Sequence, residues 1–190
     1  MIMIDEYRIN AGDIPRYELE ILKAGICHAL VPGAYYSEND TVAIVPDGTG
    51  YASLEKKLNS YGRSSLSSDS AEDGESVLGG FRLTLKMLRS IIEACRISSD
   101  YLIRPEDISL SVDDIYFTSD FCAGLLLKPG QVKADLVERI LLLCSEIDER
   151  FPMANAGVIQ EKISAANDDA GLDGAGLLRL LSRWEIELER

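Results

Sequence analysis

The sequence predicts an α+β fold in which strands and helices are segregated along the chain. Residues 41–45 form a β-branched apolar run without polar alternation, which indicates a central strand buried on both faces. Residues 81–97 and 131–147 repeat apolar side chains at helical spacing over several turns, which indicates two central helices. Because strand patterns cluster instead of alternating with helices, we expect α+β architecture and not a doubly wound sheet.

Length and composition limit what the chain can be. Its 190 residues and 46% hydrophobic content suit one domain with a substantial core. We expect a β/α part over 1–61, a flexible insert over 62–80 and a helical part over 81–190. The net charge of −13 argues against binding to nucleic acid or anionic lipid, because phosphates attract Lys and Arg. No apolar run long enough to cross a membrane and no secretory signal is apparent.

The four cysteines, Cys27, Cys95, Cys122 and Cys144, are scattered and show no C-x-x-C spacing. We interpret them as free thiols, and the single histidine, His28, is too little to complete a zinc site. The sequence therefore predicts no metal, no cofactor and a cytoplasmic location.

The first half of the chain predicts one helix, two strands and a second helix. Pro15 suits the first position of a helix over 14–27. A bent strand over 29–36 precedes the buried strand over 41–45, and a short helix over 52–61 follows. The Ser-, Gly- and Asp-rich insert after it cannot bury enough apolar surface to offset chain entropy, so we expect a mobile loop.

The second half predicts a helical part interrupted by one strand pair. After the helix over 81–97, residues 101–121 indicate a turn and two short strands. A cluster of acids could hold a divalent cation, but its spacing lacks the glycine and periodic oxygens of a calcium loop; its members are Glu106, Asp107, Asp113, Asp114 and Asp120. Asp113 and Asp114 are more simply the turn of a hairpin between these strands. The remaining helices are predicted over 131–147, 156–165 and 174–189.

This order of elements resembles a protein kinase that lacks its first strands and Gly-rich loop. The run PEDI at 105–108 is similar to the end of the kinase motif H-R-D-L-K-P-E-N-I, and Asp120-Phe121 is similar to the start of D-F-G. Asp107 and Asp120 are thirteen residues apart, a spacing that suits these two motifs. In kinases the catalytic loop, a strand pair, the magnesium-binding turn and a central helix follow in that order.

Departures from the kinase pattern predict that the chain is not an enzyme. Leu102 falls on the catalytic Asp position, and leucine cannot accept a substrate proton. Cys122 replaces the glycine of D-F-G, and VAIV at 42–45 ends without the nucleotide-binding lysine. The alternative is a residual nucleotide- or metal-binding pseudokinase that uses the remaining carboxylates, Asp107 and Asp120.

A closer resemblance is to an uncharacterised family of degenerate kinase-like domains in Gram-positive bacteria, which often precede forkhead-associated domains. The residues that carry it are YEL at 17–19, Asn-Asp at 39–40, YLI at 101–103 and SVDDIYF at 111–117. The resemblance implies a scaffold with a protein partner, in bacterial signalling or in secretion or pilus assembly, and no reaction. An α+β domain unrelated to kinases is the other alternative.

Overall fold

A computed structural model describes residues 3–66, 73–129 and 134–188. Within these ranges, six α-helices and two three-stranded antiparallel sheets confirm the mixed α+β prediction. In chain order the elements are β1 (Tyr7–Asn10), α1 (Arg16–Ala24), β2 (Gly33–Glu38), β3 (Thr41–Pro46), β4 (Ala52–Ser53), α2 (Leu54–Leu66), α3 (Asp73–Asp100), β5 (Ile115–Phe117), β6 (Ala123–Leu125), α4 (Leu136–Arg150), α5 (Ala156–Ala170) and α6 (Gly174–Leu188). None of the helices in the described part of the chain combines the length and hydrophobicity that crossing a membrane requires.

The first sheet has the strand order β1-β3-β2, with β3 in the middle as the sequence predicts. Val42, Ala43 and Ile44 are buried, but Val45 is 39% exposed. The expected burial on both faces therefore fails at the end of β3. The sequence pattern did not indicate β1, whose side chains alternate between half-buried and exposed and so lack a strong apolar signal.

The second sheet corrects the hairpin predicted within residues 101–121. Asp113 and Asp114 lie in a 3-10 turn, and β5 pairs instead with β4 on one side and β6 on the other. The segment before that turn also pairs with later residues, since Ser109 N–H donates to the Leu126 carbonyl at 3.0 Å. The apolar residues around Asp113-Asp114 are buried, as their sequence pattern predicts. Such a pattern shows which side chains are buried, but it does not show which strand they pair with.

The insert predicted as a loop over 62–80 is partly helical. Helix α2 continues to Leu66 and α3 begins at Asp73, while residues 67–72 lie outside the described ranges. Adding a residue to an existing helix is far easier than nucleating one, so the strong helix over 81–97 can extend through the polar sequence before it.

One continuous apolar core joins the first sheet to the helices. Leu85, Leu88 and Ile92 of α3 are fully buried, as the helical spacing predicts. On α4, Ile140 is also fully buried, whereas Leu142 is 59% exposed, so α4 is less completely enclosed than its sequence indicates. Helix α3 contacts β6 and the turn at 105–107, and α4 contacts the turn at 112–114 that precedes β5.

Candidate functional site

Asp107 lies in a 3-10 turn, Pro105–Asp107, after the C-terminal end of α3. The turn is held against that end, where Ile103 N–H donates to the Ser98 carbonyl at 3.1 Å. The Asp107 side chain is 2% exposed and accepts a hydrogen bond from Arg104 Nε. Because this carboxylate is buried and already paired, it is closed to a ligand arriving from solvent.

Glu18 of α1 is a second buried carboxyl group beside Arg104. Its Oε1 lies 3.6 Å from Arg104 Nε and accepts from the Arg104 backbone N–H at 3.3 Å. Its Oε2 has no hydrogen-bond partner among the described residues. Burial, followed by the negative charge of Asp107, raises the pKa of Glu18 to about 7. We call Glu18, Arg104 and Asp107 the Arg104 cluster.

The Arg104 cluster contains two acids and one base. When Glu18 is protonated, the cluster holds one negative and one positive charge, which balance each other. The sequence analysis names Glu18 only as part of YEL at 17–19. That motif is the one signal that could have drawn attention to it, since the structure brings Glu18 against Arg104, which directly precedes PEDI at 105–108.

Leu102, which falls on the kinase catalytic Asp position, is next to this cluster but faces solvent. Its side chain is 76% exposed and its backbone has φ of 61°, in the left-handed region that bulky side chains rarely adopt. Its carbonyl accepts a hydrogen bond from Tyr17 Oη at 2.7 Å. At the surface, therefore, this position presents an apolar side chain, while the nearby carboxyl groups are enclosed beneath.

Asp120 lies in an exposed turn, residues 118–122, which connects β5 to β6 and which we call the hairpin tip. Its Oδ1 accepts a long hydrogen bond from Ser119 Oγ, at 3.4 Å. Next to it, the Phe121 ring contacts Lys57 Nζ and Lys86 Nζ, each 4.3 Å from the ring centroid. Both contacts are cation–π interactions.

The structure does not bring Asp107 and Asp120 together. The hairpin tip contacts α3 at Lys86, whereas the turn that contains Asp107 contacts α3 near Ser98. Twelve residues of helix separate these contacts, about 18 Å along the axis at 1.5 Å per residue. Asp120 also lies inside the turn of the strand pair, whereas the kinase resemblance implies a metal-binding turn after the pair. Within the described ranges, no group of three or more His, Cys, Asp or Glu side chains is arranged to hold a metal.

The cysteines occupy four separate environments. Cys27 and Cys144 are buried in different elements, Cys95 of α3 is half-buried, and Cys122 is exposed at the hairpin tip. His28, next to Cys27, is exposed. Burial raises the pKa of the Cys144 thiol to about 12, which leaves it protonated and unreactive near neutral pH.

No family model matches the chain, and a search of the curated proteins finds no match. The functional conclusion therefore rests on the geometry of the Arg104 cluster, of Leu102 above it, and of the hairpin tip.

Proposed function

We propose that this chain is a non-catalytic, kinase-like interaction module of the bacterial cytoplasm, which acts as a scaffold in signalling or in secretion or pilus assembly. The observation that carries the proposal is Leu102. At the position where the kinase resemblance requires a catalytic carboxylate, the chain exposes an apolar side chain, 76% accessible to solvent.

The charges around Leu102 support the absence of catalysis. The nearby carboxyl groups, Glu18 and Asp107, are 0% and 1% exposed, so neither can meet a substrate hydroxyl without rearrangement. Phosphoryl transfer also requires cations and metal ions gathered around a triphosphate. Arg104 is already engaged by Asp107, and the separation of Asp107 from Asp120 disfavours their use for one shared ion.

An exposed apolar pair provides a surface for a protein partner. Tyr17, 45% exposed, and Leu102 lie side by side, joined by the hydrogen bond from Tyr17 Oη to the Leu102 carbonyl. Tyrosine is enriched among the residues that dominate binding energy in protein interfaces. A partner that covers this pair would remove the Leu102 side chain from water, which favours binding.

The enzymatic part of the proposal is tested with the purified protein, magnesium and ATP labelled on the γ-phosphate. We expect no label on the protein or on generic acceptor proteins, and no change in melting temperature with millimolar MgATP. Phosphate transfer would refute the non-catalytic assignment. A rise of several degrees without transfer would instead support the nucleotide-binding alternative.

The interaction part is tested by affinity capture from bacterial extract with the wild type, Leu102→Asp and Leu142→Asp. Leu142 is the matched control, because it is also exposed, at 59%, but lies on α4. We expect a partner that is retained by Leu142→Asp and lost by Leu102→Asp, and then the same order of affinities with the purified partner. Equal retention by both variants would refute the Tyr17–Leu102 surface.

A further inference from the structure

An apolar cavity of about 350 Å³ opens between α3, α4, α6 and the turn at 105–108. Its volume lies within the range of small-molecule pockets, about 300–1,000 Å³. Ile92, Ile108, Leu136 and Leu178 contribute apolar walls. The cavity is separate from the Tyr17–Leu102 surface, so a ligand bound in it neither requires nor tests the proposed function.

A buried arginine without an acidic partner lies in the cavity wall. Arg139 of α4 is 7% exposed, and its guanidinium donates to the backbone carbonyls of Pro105, at 2.7 Å, and of Ile108. No carboxylate among the described residues lies within ion-pair distance of it. Burial lowers the pKa of Arg139, and Cys95 and Glu106 oppose that shift electrostatically, although a guanidinium remains charged at neutral pH. An enclosed positive charge with no carboxylate at ion-pair distance favours an anion beside it.

The N-terminus of α6 adds a second source of positive potential. Gly174 and Ala175, its first two residues, line the cavity, and their N–H groups have no partner among the described residues. The Asp173 carboxylate caps the following N–H, of Gly176, at 2.6 Å. Asp173 already offsets part of the helix dipole, so the free N–H groups of Gly174 and Ala175 are what favour a bound anion at this end of α6.

The charges that line the cavity also favour an anion. Besides Arg139, the lining contains Arg96 and Asp100, which lie 3.4 Å apart, and Arg96 also pairs with Glu93 outside the lining at 2.7 Å. The lining residues alone have a net charge of +1, which Arg139 supplies. A ligand with a single negative charge and an apolar body matches both the charge and the walls.

We propose that this cavity binds a small amphipathic carboxylate of the medium-chain fatty-acid class. The carboxylate lies against Arg139 and the N-terminus of α6, and the hydrocarbon chain lies along Ile92, Ile108 and Leu178. A carboxylate suits this site because guanidinium and backbone N–H groups are the donors that hold it best. The apolar walls exclude small inorganic anions as the preferred ligands, since these would leave the cavity unfilled.

The proposal is tested by isothermal titration calorimetry of the full chain with decanoate, decanol and decyltrimethylammonium, each below its micellar concentration. We expect saturable one-to-one binding of decanoate and at least about tenfold weaker binding of decanol, because the alcohol lacks the charge. Equal binding of all three would show non-specific association and overturn the proposal. Binding of an apolar peptide through its C-terminal carboxylate, without binding of decanoate, would also overturn it.

Three variants locate the ligand. Arg139→Gln should weaken decanoate binding by about 30-fold or more, while Arg139→Lys retains part of the affinity. Arg139 also binds the backbone of the 105–108 turn, so its variants could alter the fold. Ala175→Trp tests the site separately, because the indole fills the cavity mouth from an exposed helix position. Ala165→Trp, at an exposed position on α5, is its matched control. Loss of binding in Ala175→Trp alone supports the site, and unchanged binding in a folded Ala175→Trp refutes it.

Discussion

Asp107 of the Arg104 cluster and Asp120 of the hairpin tip come from the same stretch of sequence, yet their surroundings differ completely. Asp107 is enclosed and paired with Arg104 near Glu18, whereas Asp120 is exposed and, among the described residues, accepts one long hydrogen bond from Ser119. The sequence singled out both residues equally as kinase-like acids. Their difference shows that a carboxylate's chemistry depends on what covers it, because burial changes the cost of its charge by far more than exposed neighbours do.

Removing each acid should produce the largest difference between the two regions. Asp107→Ala should lower the free energy of unfolding by about 3 kcal/mol, because it removes a buried hydrogen-bonded ion pair that Glu18, 3.6 Å from Arg104 Nε, replaces only in part. Arg104 is 42% exposed and remains partly hydrated, which keeps the loss at the low end of the range for buried pairs. Asp120→Ala should change the free energy of unfolding by no more than about 0.5 kcal/mol, because its side chain is exposed. Urea denaturation measures the free energy of unfolding of both variants. Similar losses in Asp107→Ala and Asp120→Ala would show that burial does not distinguish the two acids.

The pH dependence of stability should reveal the raised pKa of Glu18 in the Arg104 cluster. The pKa of Glu18 is about 7 in the folded chain and 4.5 as its ordinary value, so folding favours the protonated acid. Its contribution is fully present below pH 4.5 and is lost as the pH rises through 7. Glu18→Gln mimics the neutral acid and should therefore match the wild type near pH 5 but exceed its stability at pH 8 by about 2 kcal/mol.

The control for that measurement is Glu161→Gln, which removes one exposed charge from α5. It separates the effect of Glu18 from the general benefit of lowering the net charge of −13. If both variants changed the pH profile of unfolding alike, the raised pKa of Glu18 would be wrong.

Two bulky residues in the left-handed region should respond oppositely to glycine. Leu102 and Phe121 have φ of 61° and 64°. Phe121→Gly should lower the free energy of unfolding by about 1 kcal/mol, since the lost contacts with Lys57 and Lys86 outweigh the backbone relief. Leu102→Gly should raise it by about 0.5 kcal/mol, because its exposed side chain contributes little. Thermal unfolding of both variants checks this, and a loss in Leu102→Gly would mean that its side chain stabilises the fold.

Sequence patterns predicted the helices well and the strand pairings poorly. The helix predicted from the apolar spacing of 81–97 is present in α3. A helix forms its hydrogen bonds between residues close in sequence, so its buried face follows from the periodicity of apolar residues. The hairpin predicted within 101–121 was wrong, since β5 pairs with β4, more than sixty residues earlier in the chain, and with β6. A strand completes its hydrogen bonds with a distant partner that its own residues do not specify.

The sequence likewise identified only some of the residues of the candidate site. Leu102, Asp107 and Asp120 were identified from motifs, but Glu18 and Arg139 were not. Each of these two lies on a helix whose pattern was recognised, and each is buried because a loop after α3 covers it: Glu18 meets Arg104, and Arg139 meets Pro105 and Ile108. The burial of these two side chains depends on contacts between residues that are 31 and 86 positions apart in the sequence. A local sequence pattern cannot predict such contacts.

The sequence by itself determined the mixed α+β composition, the two central helices and the leucine at position 102, because these follow from local periodicity and residue identity. Tertiary structure alone decided which strands pair, that Asp107 and Asp120 lie apart, and that Glu18 and Arg139 are enclosed. The physical reason is that charge is costly only where water is excluded, and water is excluded by segments that meet through folding and not through proximity in sequence.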